Sequence, residues 1–486
     1  MNDPHNHADG RLRDRRFPRR PRDNNADERS HDSHARGHSH VRDLTKGAIG
    51  KSILLFSLPL LASSLIQLLY STVDLMFVGN FIGAQAAAAV GSSVLIVTCV
   101  LGFFTGLGIG TGVVAAQQFG AGDHPALDRS IHAAMALGLY GGGILTPLLI
   151  LISPALLTLL NTPSEIIGDA TVYLRIYFLS LIPMICYNMG SGVLRALGNS
   201  RSPMRCQLVG GICNVAANAL FVCALQWGVM GSALATLCSQ TIAAILVVRL
   251  MRKLDDSYRL RFRDIRFHRS PTQAILRIGV PASVQAMVIT LSNLVVQYFI
   301  NSLGVTDIAA FTAFFKVENF IYLPIMALGQ TVTMFVGQNM GAALSDRARE
   351  GMYICILIGL TVTGGIAALL LGFCPWVLRM FTGDAAVIEV GTQIAFFILP
   401  LYFIYVFLEV IGSAIRGTGR PLPPMIITLS MICGLRIVLL NAFPAHFSTP
   451  RAVASLYPIT WGAATICLLL YYFIRRKSIW KTVPPS

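Results

Sequence analysis

Asp74 is the residue that first invites a chemical reading. It lies in an apolar run, and Ser63, Gln67, Tyr70 and Asp74 follow one another at intervals of four, three and four. That spacing places them along one face of an α-helix. A carboxylate in apolar surroundings is expensive as an anion and is a functional candidate by default. Such a group holds a proton when dry and releases it when wetted. Pro59, earlier on the same run, marks a bend point because it removes one helical hydrogen bond. Asn214 and Asn218, four residues apart, form a second polar stripe, and Ser232, Thr236 and Gln240 form a third. For these neutral side chains, hydrogen bonding between helices explains the pattern as well as a site role does.

The C-terminal half carries its own candidates: Gln285, Asn293, Glu318, Glu409, Lys316 and Arg436. Glu318 reads either as a structural ion pair with Arg436 or Lys316 or as a second coupling group. Glu409 is a candidate for binding a cation. Arg195 and Arg416 close apolar runs, where reaching back toward lipid head groups is the simpler reading. No catalytic residue, metal or cofactor is expected. The chain lacks H-E-x-x-H, G-x-S-x-G and Walker patterns. Gly47-Ala-Ile-Gly50-Lys51-Ser52 is two residues short of a phosphate loop and runs straight into an apolar segment. The ten cysteines lie in or beside apolar runs and form no C-x-x-C pair, as small hydrophobic side chains would.

Composition sets what must position these groups. Only 13% of the 486 residues are charged and 54% are hydrophobic, with a mean hydropathy of +0.64. Soluble domains carry about 25% charged residues; this surface suits lipid. After a polar segment, 1–51, the chain runs through twelve apolar stretches of about 20 residues or more, the length that crosses a bilayer as helix. They fall near 54–78, 87–116, 131–153, 167–195, 205–225, 229–250, 275–300, 308–337, 352–373, 387–415, 425–443 and 453–474. The first segment holds twelve Lys/Arg, eight Asp/Glu and six of the ten histidines, and reads as a disordered tail. Its cluster His31, His34, His38 and His40 reads as solvated, with loose metal binding the lesser alternative.

The net charge of +15 suggests nucleic acid only until its placement is read. Of 26 basic residues beyond the tail, 21 follow even-numbered spans or lie at the C-terminus. Arg175, Arg379 and Arg451 alone fall on the other side. Cytoplasmic loops collect Lys and Arg, so both termini are expected in the cytoplasm, with membrane lipids and not nucleic acid as partners.

The two halves repeat. Gly83 and Gly304, Gly108 and Gly329, Gln117 and Gln338, Gly120-Ala121 and Gly341-Ala342, Arg195 and Arg416, Gly198 and Gly419, and Pro203-Met204 and Pro424-Met425 are all 221 residues apart. Pro59 and Pro281 differ by 222. Six spans per half is an even number, so the halves share one orientation and are related by an axis along the membrane normal. The expected fold is all-α and integral to the membrane: twelve transmembrane helices in two pseudo-symmetric six-helix bundles. The organisation is a tail (1–51), an N-terminal lobe (52–250), a basic linker (251–274), a C-terminal lobe (275–474) and a short tail (475–486). The interface between such bundles is a common substrate path.

Ser57-Leu-Pro59 through Tyr70-Ser-Thr-Val-Asp74-Leu-Met-Phe77-Val-Gly79-Asn80 resembles the first helix of the multidrug and toxic compound extrusion (MATE) family, in its bacterial drug-efflux branches. Ala115-Ala-Gln117-Gln-Phe-Gly120-Ala121-Gly122-Asp123, Val336-Gly337-Gln338-Asn339-Met-Gly341-Ala342 and the two Arg-x-x-Gly segments are similar to its other signatures. The resemblance implies antiport by alternating access. A proton or sodium ion enters while a small, usually cationic and amphipathic, organic compound leaves across a bacterial inner membrane. It implies proton coupling at Asp74, bending at Pro59, and a supporting N-lobe site of Gln67, Tyr70, Asn214, Asn218 and Gln240. Some relatives carry Asp where Asn218 stands, so a two-carboxylate scheme is weakened. Sodium-coupled relatives carry an acid on the seventh span; Gln285 to Gln297 contains none, which favours protons with sodium as the alternative. A monomer is expected. The rival readings are a lipid-linked sugar or polysaccharide flippase of the same superfamily, for which Lys316 and Arg436 leave room, and, in a different class, a membrane-embedded enzyme, disfavoured by the missing catalytic motifs, or a channel.

Overall fold

Each apolar run becomes a helix long enough to cross about 30 Å of hydrocarbon. In the computed structural model, which describes residues 43–481, the N-terminal lobe is built from α1 (Ile49–Ile82), α2 (Ala84–Gly120), α3 (His124–Leu159), α4 (Ser164–Leu179 with Leu181–Ala196), α5 (Arg201–Ala224) and α6 (Gly228–Arg252). The C-terminal lobe repeats the plan with α7 (Arg269–Asn301), α8 (Val305–Gly341), α9 (Ser345–Gly372), α10 (Ala385–Gly417), α11 (Leu422–Ala442) and α12 (Pro450–Ile479). The two parts of α4 meet at 45°, so twelve spans result when they count as one. The expected fold class holds. Pro59 lies inside the continuous first segment of α1, Ile49–Phe77.

The repeat is visible in backbone geometry. Gly83 closes the α1–α2 turn at φ 119° and Gly304 closes α7–α8 at φ 125°, a region open to glycine and costly for other residues. The series Gly106, Gly108, Gly110 and Gly112 serves two neighbours alternately. Gly106 and Gly110 lie against Ser283 and Gly279 of α7, while Gly108 lies against Asn188 of α4 and Gly112 against Gly192 of α4 and the Met334 side chain of α8. A Cβ on Gly110 would stand 2.5 Å from the Gly279 backbone nitrogen. Without side chains in the way, α2 meets α7 backbone to backbone, and van der Waals contact joins the lobes there.

The lobes are also tied on the face where the described chain ends emerge. Gln117 Nε2 donates to the Gly417 carbonyl at 3.0 Å, and Gln338 Nε2 donates to the Ala196 carbonyl at 2.5 Å. Each glutamine belongs to one lobe and each carbonyl to the other, and both pairs obey the 221-residue offset. Beside them Gly120 packs on the Gln338 backbone and Gly341 on the Gln117 backbone. The lobes are therefore closed on this terminal face.

The histidines at 31, 34, 38 and 40, most of the N-terminal tail, and residues 482–486 lie outside the described residues. Within residues 43–51 the tail reading is corrected, because this stretch is ordered. Leu44 is 1% exposed; its N–H donates to Gln338 Oε1 at 2.9 Å and its carbonyl accepts from Asn339. Arg347 holds the carbonyls of Lys46 and Gly47 at 3.0 and 2.8 Å. One buried leucine and a set of satisfied carbonyls offset the ordering entropy that composition alone could not. The basic linker is docked as well: Tyr258 and Leu260 are buried, and the Arg261 N–H donates to Nε2 of the buried His132 on α3 at 3.0 Å.

Candidate functional site

The N-lobe site forms where α1, α5 and α6 converge. Asp74 is 8% exposed. Its Oδ1 accepts from Asn218 Nδ2 on α5 at 2.9 Å and from Ser232 Oγ on α6 at 3.1 Å. Asn218 also donates to Asn214 Oδ1 at 3.0 Å, while Asn218 Oδ1 and Asn214 Nδ2, both buried, have no partner among the described residues. One turn earlier, the Tyr70 hydroxyl donates to Thr236 at 3.4 Å, with Gln240 and Ser239 within reach. Two helices loosen here. α1 takes a π-turn over Val78–Ile82, beginning four residues after Asp74, and α5 takes another over Ala219–Ala224, directly after Asn218. Such turns release backbone hydrogen bonds and recur at functional sites.

The stripe on α1 divides its attention. Ser63 donates to Gln207 on α5, which also accepts from Tyr187 at 3.1 Å. Gln67 turns away from Asp74 and lines a cavity between the lobes. That cavity has a volume of about 510 Å³; its polar lining includes Gln67, Arg195, Gln285, Asn293, Glu409 and Arg416, and its walls include Ile109, Met334, Tyr322 and Tyr405. Asp74 is not part of the lining. α1 thus presents one polar group to the cavity and another to the interior of its own lobe.

The C-lobe corrects three expectations. Glu318 forms no ion pair among the described residues; it accepts a hydrogen bond from the Tyr402 hydroxyl instead. Lys316 is exposed, and two residues along a helix do not share a face. Arg436 is buried but committed elsewhere, to Asn293 Oδ1 at 3.0 Å, Thr460 at 3.5 Å and the Tyr457 ring at 4.8 Å. Glu409 is not open for a cation, since it pairs with Arg416 at 3.0 Å and accepts from Ser413 at 2.8 Å. Nor do Arg195 and Arg416 reach for lipid. Both end helices at the lobe contact, so the space before them is the cavity. Arg416 also donates to Ser413 and to Gln285 at 2.6 and 3.3 Å.

One family model, MatE, matches the chain twice, over residues 59–220 and 281–440. Each match begins at the repeated proline and covers most of one lobe. This chain belongs to the MatE family. YpnP of Bacillus subtilis, described as a probable multidrug resistance protein, is 29% identical over 453 residues, spanning 91% of this chain and 98% of the relative. YoeA of the same organism, described in the same words, is 26% identical over 450 residues, spanning 90% and 95%. A MOP-superfamily transporter of Pyrococcus furiosus shares the fold at a TM-score of 0.83, with 22% identity over 90% of this chain and 98% of that one. As a MatE member the chain is a multi-pass membrane transporter that binds small molecules, and it is not an enzyme.

Within this MatE chain, the residues that spacing did not flag are those whose partners lie on another helix. Tyr402 holds Glu318 across 84 positions, and Gln207 joins Ser63 across 144. Tyr402 sits in an aromatic cluster with Tyr405 and Trp461, ring centroids 4.9 to 6.2 Å apart. A run of aromatics near one in-span acid is the only sequence signal that pointed there.

Proposed function

We propose that this chain exports small amphipathic organic compounds in exchange for protons, with Asp74 as the proton carrier and the two lobes alternating access to the cavity between them. The reading is supported above all by one observation: Asp74 is a buried carboxylate bonded at once to α5 and α6. As an anion it draws the Asn218 amide and the Ser232 hydroxyl inward. Protonation removes the charge that makes burial costly and converts an acceptor into a donor. The Asn218 amide, turned over, then offers its unfilled oxygen to that donor. The bonds joining α1 to its neighbours are redrawn, and the adjoining π-turns give both helices room to shift. Because α1 also carries Gln67, movement at Asp74 reaches the cavity wall.

Protons are favoured over sodium. Sodium needs several oxygen ligands converging on one point. In the C-lobe, Glu409 is occupied by Arg416, Glu318 by Tyr402, and α7 offers amides without an acid. Neither Lys316 nor Arg436, the two cations that left room for a flippase, lines the cavity. Loop charge favours cytoplasmic termini in a bacterial inner membrane, so the face on which the lobes are closed is the cytoplasmic one in this reading.

Reconstituted wild type and Asp74→Asn, given a pH gradient or a sodium gradient separately, test this with a panel of charged fluorescent dyes. A pH gradient alone should drive dye accumulation, and Asp74→Asn should abolish it. Accumulation driven by sodium alone, or an unimpaired variant, would overturn the assignment.

A further inference from the structure

The two arginines of the cavity are counterparts in the repeat, yet only one is neutralised. In the C-lobe, Glu409 precedes Arg416 by seven residues, two helical turns on one face, and the pair closes at 3.0 Å. The N-lobe position 221 residues before Glu409 is Asn188, and its amide donates to the Met184 carbonyl of its own helix at 2.9 Å. Arg195 therefore has no carboxylate, and among the described residues it forms no ion pair and no hydrogen bond, with the neutral Tyr187 hydroxyl as the titratable group that acts on it. Its side chain lines the cavity all the same. Three charged groups line the space, Arg195, Arg416 and Glu409; two cancel, and one positive charge remains.

We infer that Arg195 is the recognition group for an anionic substrate, and that the exported compounds are amphipathic anions bearing a carboxylate, sulfonate or phosphate. The inference deepens the exporter reading and rests on it. A guanidinium in a cavity walled by Ile109, Met334 and Tyr322 has lost much of its water, and an uncompensated charge there is costly until an anion joins it. The planar fork of Arg suits a carboxylate or phosphate, whose two oxygens it can hold together. A volume of about 510 Å³ falls within the range of sites that take drug-sized ligands. A cation finds no matching partner, because the single lining carboxylate is already bound. Proton and substrate charge do not meet directly, since Asp74 lies off the cavity; coupling passes through α1.

The test is equilibrium binding of two xanthene dyes of one shape, anionic carboxyfluorescein and cationic rhodamine 123, to the full chain in nanodiscs. Wild type should prefer carboxyfluorescein by about tenfold, the scale of one hydrogen-bonded charge. Arg195→Gln should erase the preference and Arg195→Lys should keep most of it. Asn188→Glu, which installs the carboxylate present in the other lobe, should erase it with Arg195 intact. A wild-type preference for rhodamine 123, or undiminished anion binding in both Arg195→Gln and Asn188→Glu, would overturn the inference. Phosphatidylcholine and phosphatidylglycerol discs separate a soluble anion from a lipid head group. Equal dye affinity in both supports the soluble substrate, whereas displacement by phosphatidylglycerol that depends on Arg195 would overturn it. No gradient is involved, so loss of pH drive with the anion preference intact sinks only the coupling reading. Intact pH drive without the preference sinks only this inference.

Discussion

At the scale of single residues, the N-lobe site depends on Asn218 as much as on Asp74. Asn218 bonds the carboxylate and Asn214 together, and removing it leaves a buried acid with one donor. Asn218→Ala should cut pH-driven transport by about tenfold or more, while Asn218→Asp, which restores a polar group with two oxygens, should retain part of it. The measurement is initial uptake rate at fixed pH gradient. Glu409→Gln makes a different prediction. Its side chain and that of Arg416 are each 12% exposed, so solvent screens the pair little, and the lost charge should lower stability by about 1–3 kcal/mol, read as a lower melting temperature in nanodiscs. Asp74, Asn214 and Asn218 were legible in the sequence because polar side chains at helical spacing inside apolar runs have few ways to be satisfied. Gln67, Arg195 and Arg416 stood out as well, but their place in the cavity lining did not. Whether a helix-end arginine meets lipid or a cavity depends on which helix stands opposite, and periodicity along one chain segment carries no information on that.

At the scale of elements, glycine sets how closely the lobes approach. A methyl group at Gly110 would enter the Gly279 backbone, and one at Gly120 or Gly341 would meet the opposing carbonyl. Gly120→Ala and Gly341→Ala should therefore weaken closure of the terminal face to a similar degree, because the two contacts are repeats of each other. Faster hydrogen exchange in residues 117–123 and 338–344 would register it; unchanged exchange in both variants would show that the face closes without these glycines. The segment before α1 adds a strap across the same face. Arg347→Ala removes three of its bonds and should make Lys46 more readily cut by trypsin. The spans themselves were legible from hydropathy. The four π-turns among the described residues, at Val78–Ile82, Leu137–Gly141, Ala219–Ala224 and Leu429–Gly434, were not, since each inserts one residue into a helix without altering its polarity.

At the scale of the whole molecule, one repeat creates both the shared architecture and the difference between the lobes. The 221-residue register reaches individual hydrogen bonds, from Gln117 and Gln338 to the carbonyls they cap. It made the paired bundles readable in the sequence itself, because a register held through more than a hundred residues has no simpler origin than duplication. The proposed roles fall where the copies have diverged: a carboxylate on α1 with none on α7, and an arginine that is ion-paired in one lobe and not in the other among the described residues. The account as a whole stands on Asp74 moving a proton against the substrate. Proteoliposomes loaded with substrate and a pH-sensitive dye, with sodium absent from both sides, report that exchange directly as substrate leaves. Wild type should acidify the vesicle interior while Asp74→Asn leaves it unchanged; acidification that survives in Asp74→Asn, or that requires sodium, would contradict the account.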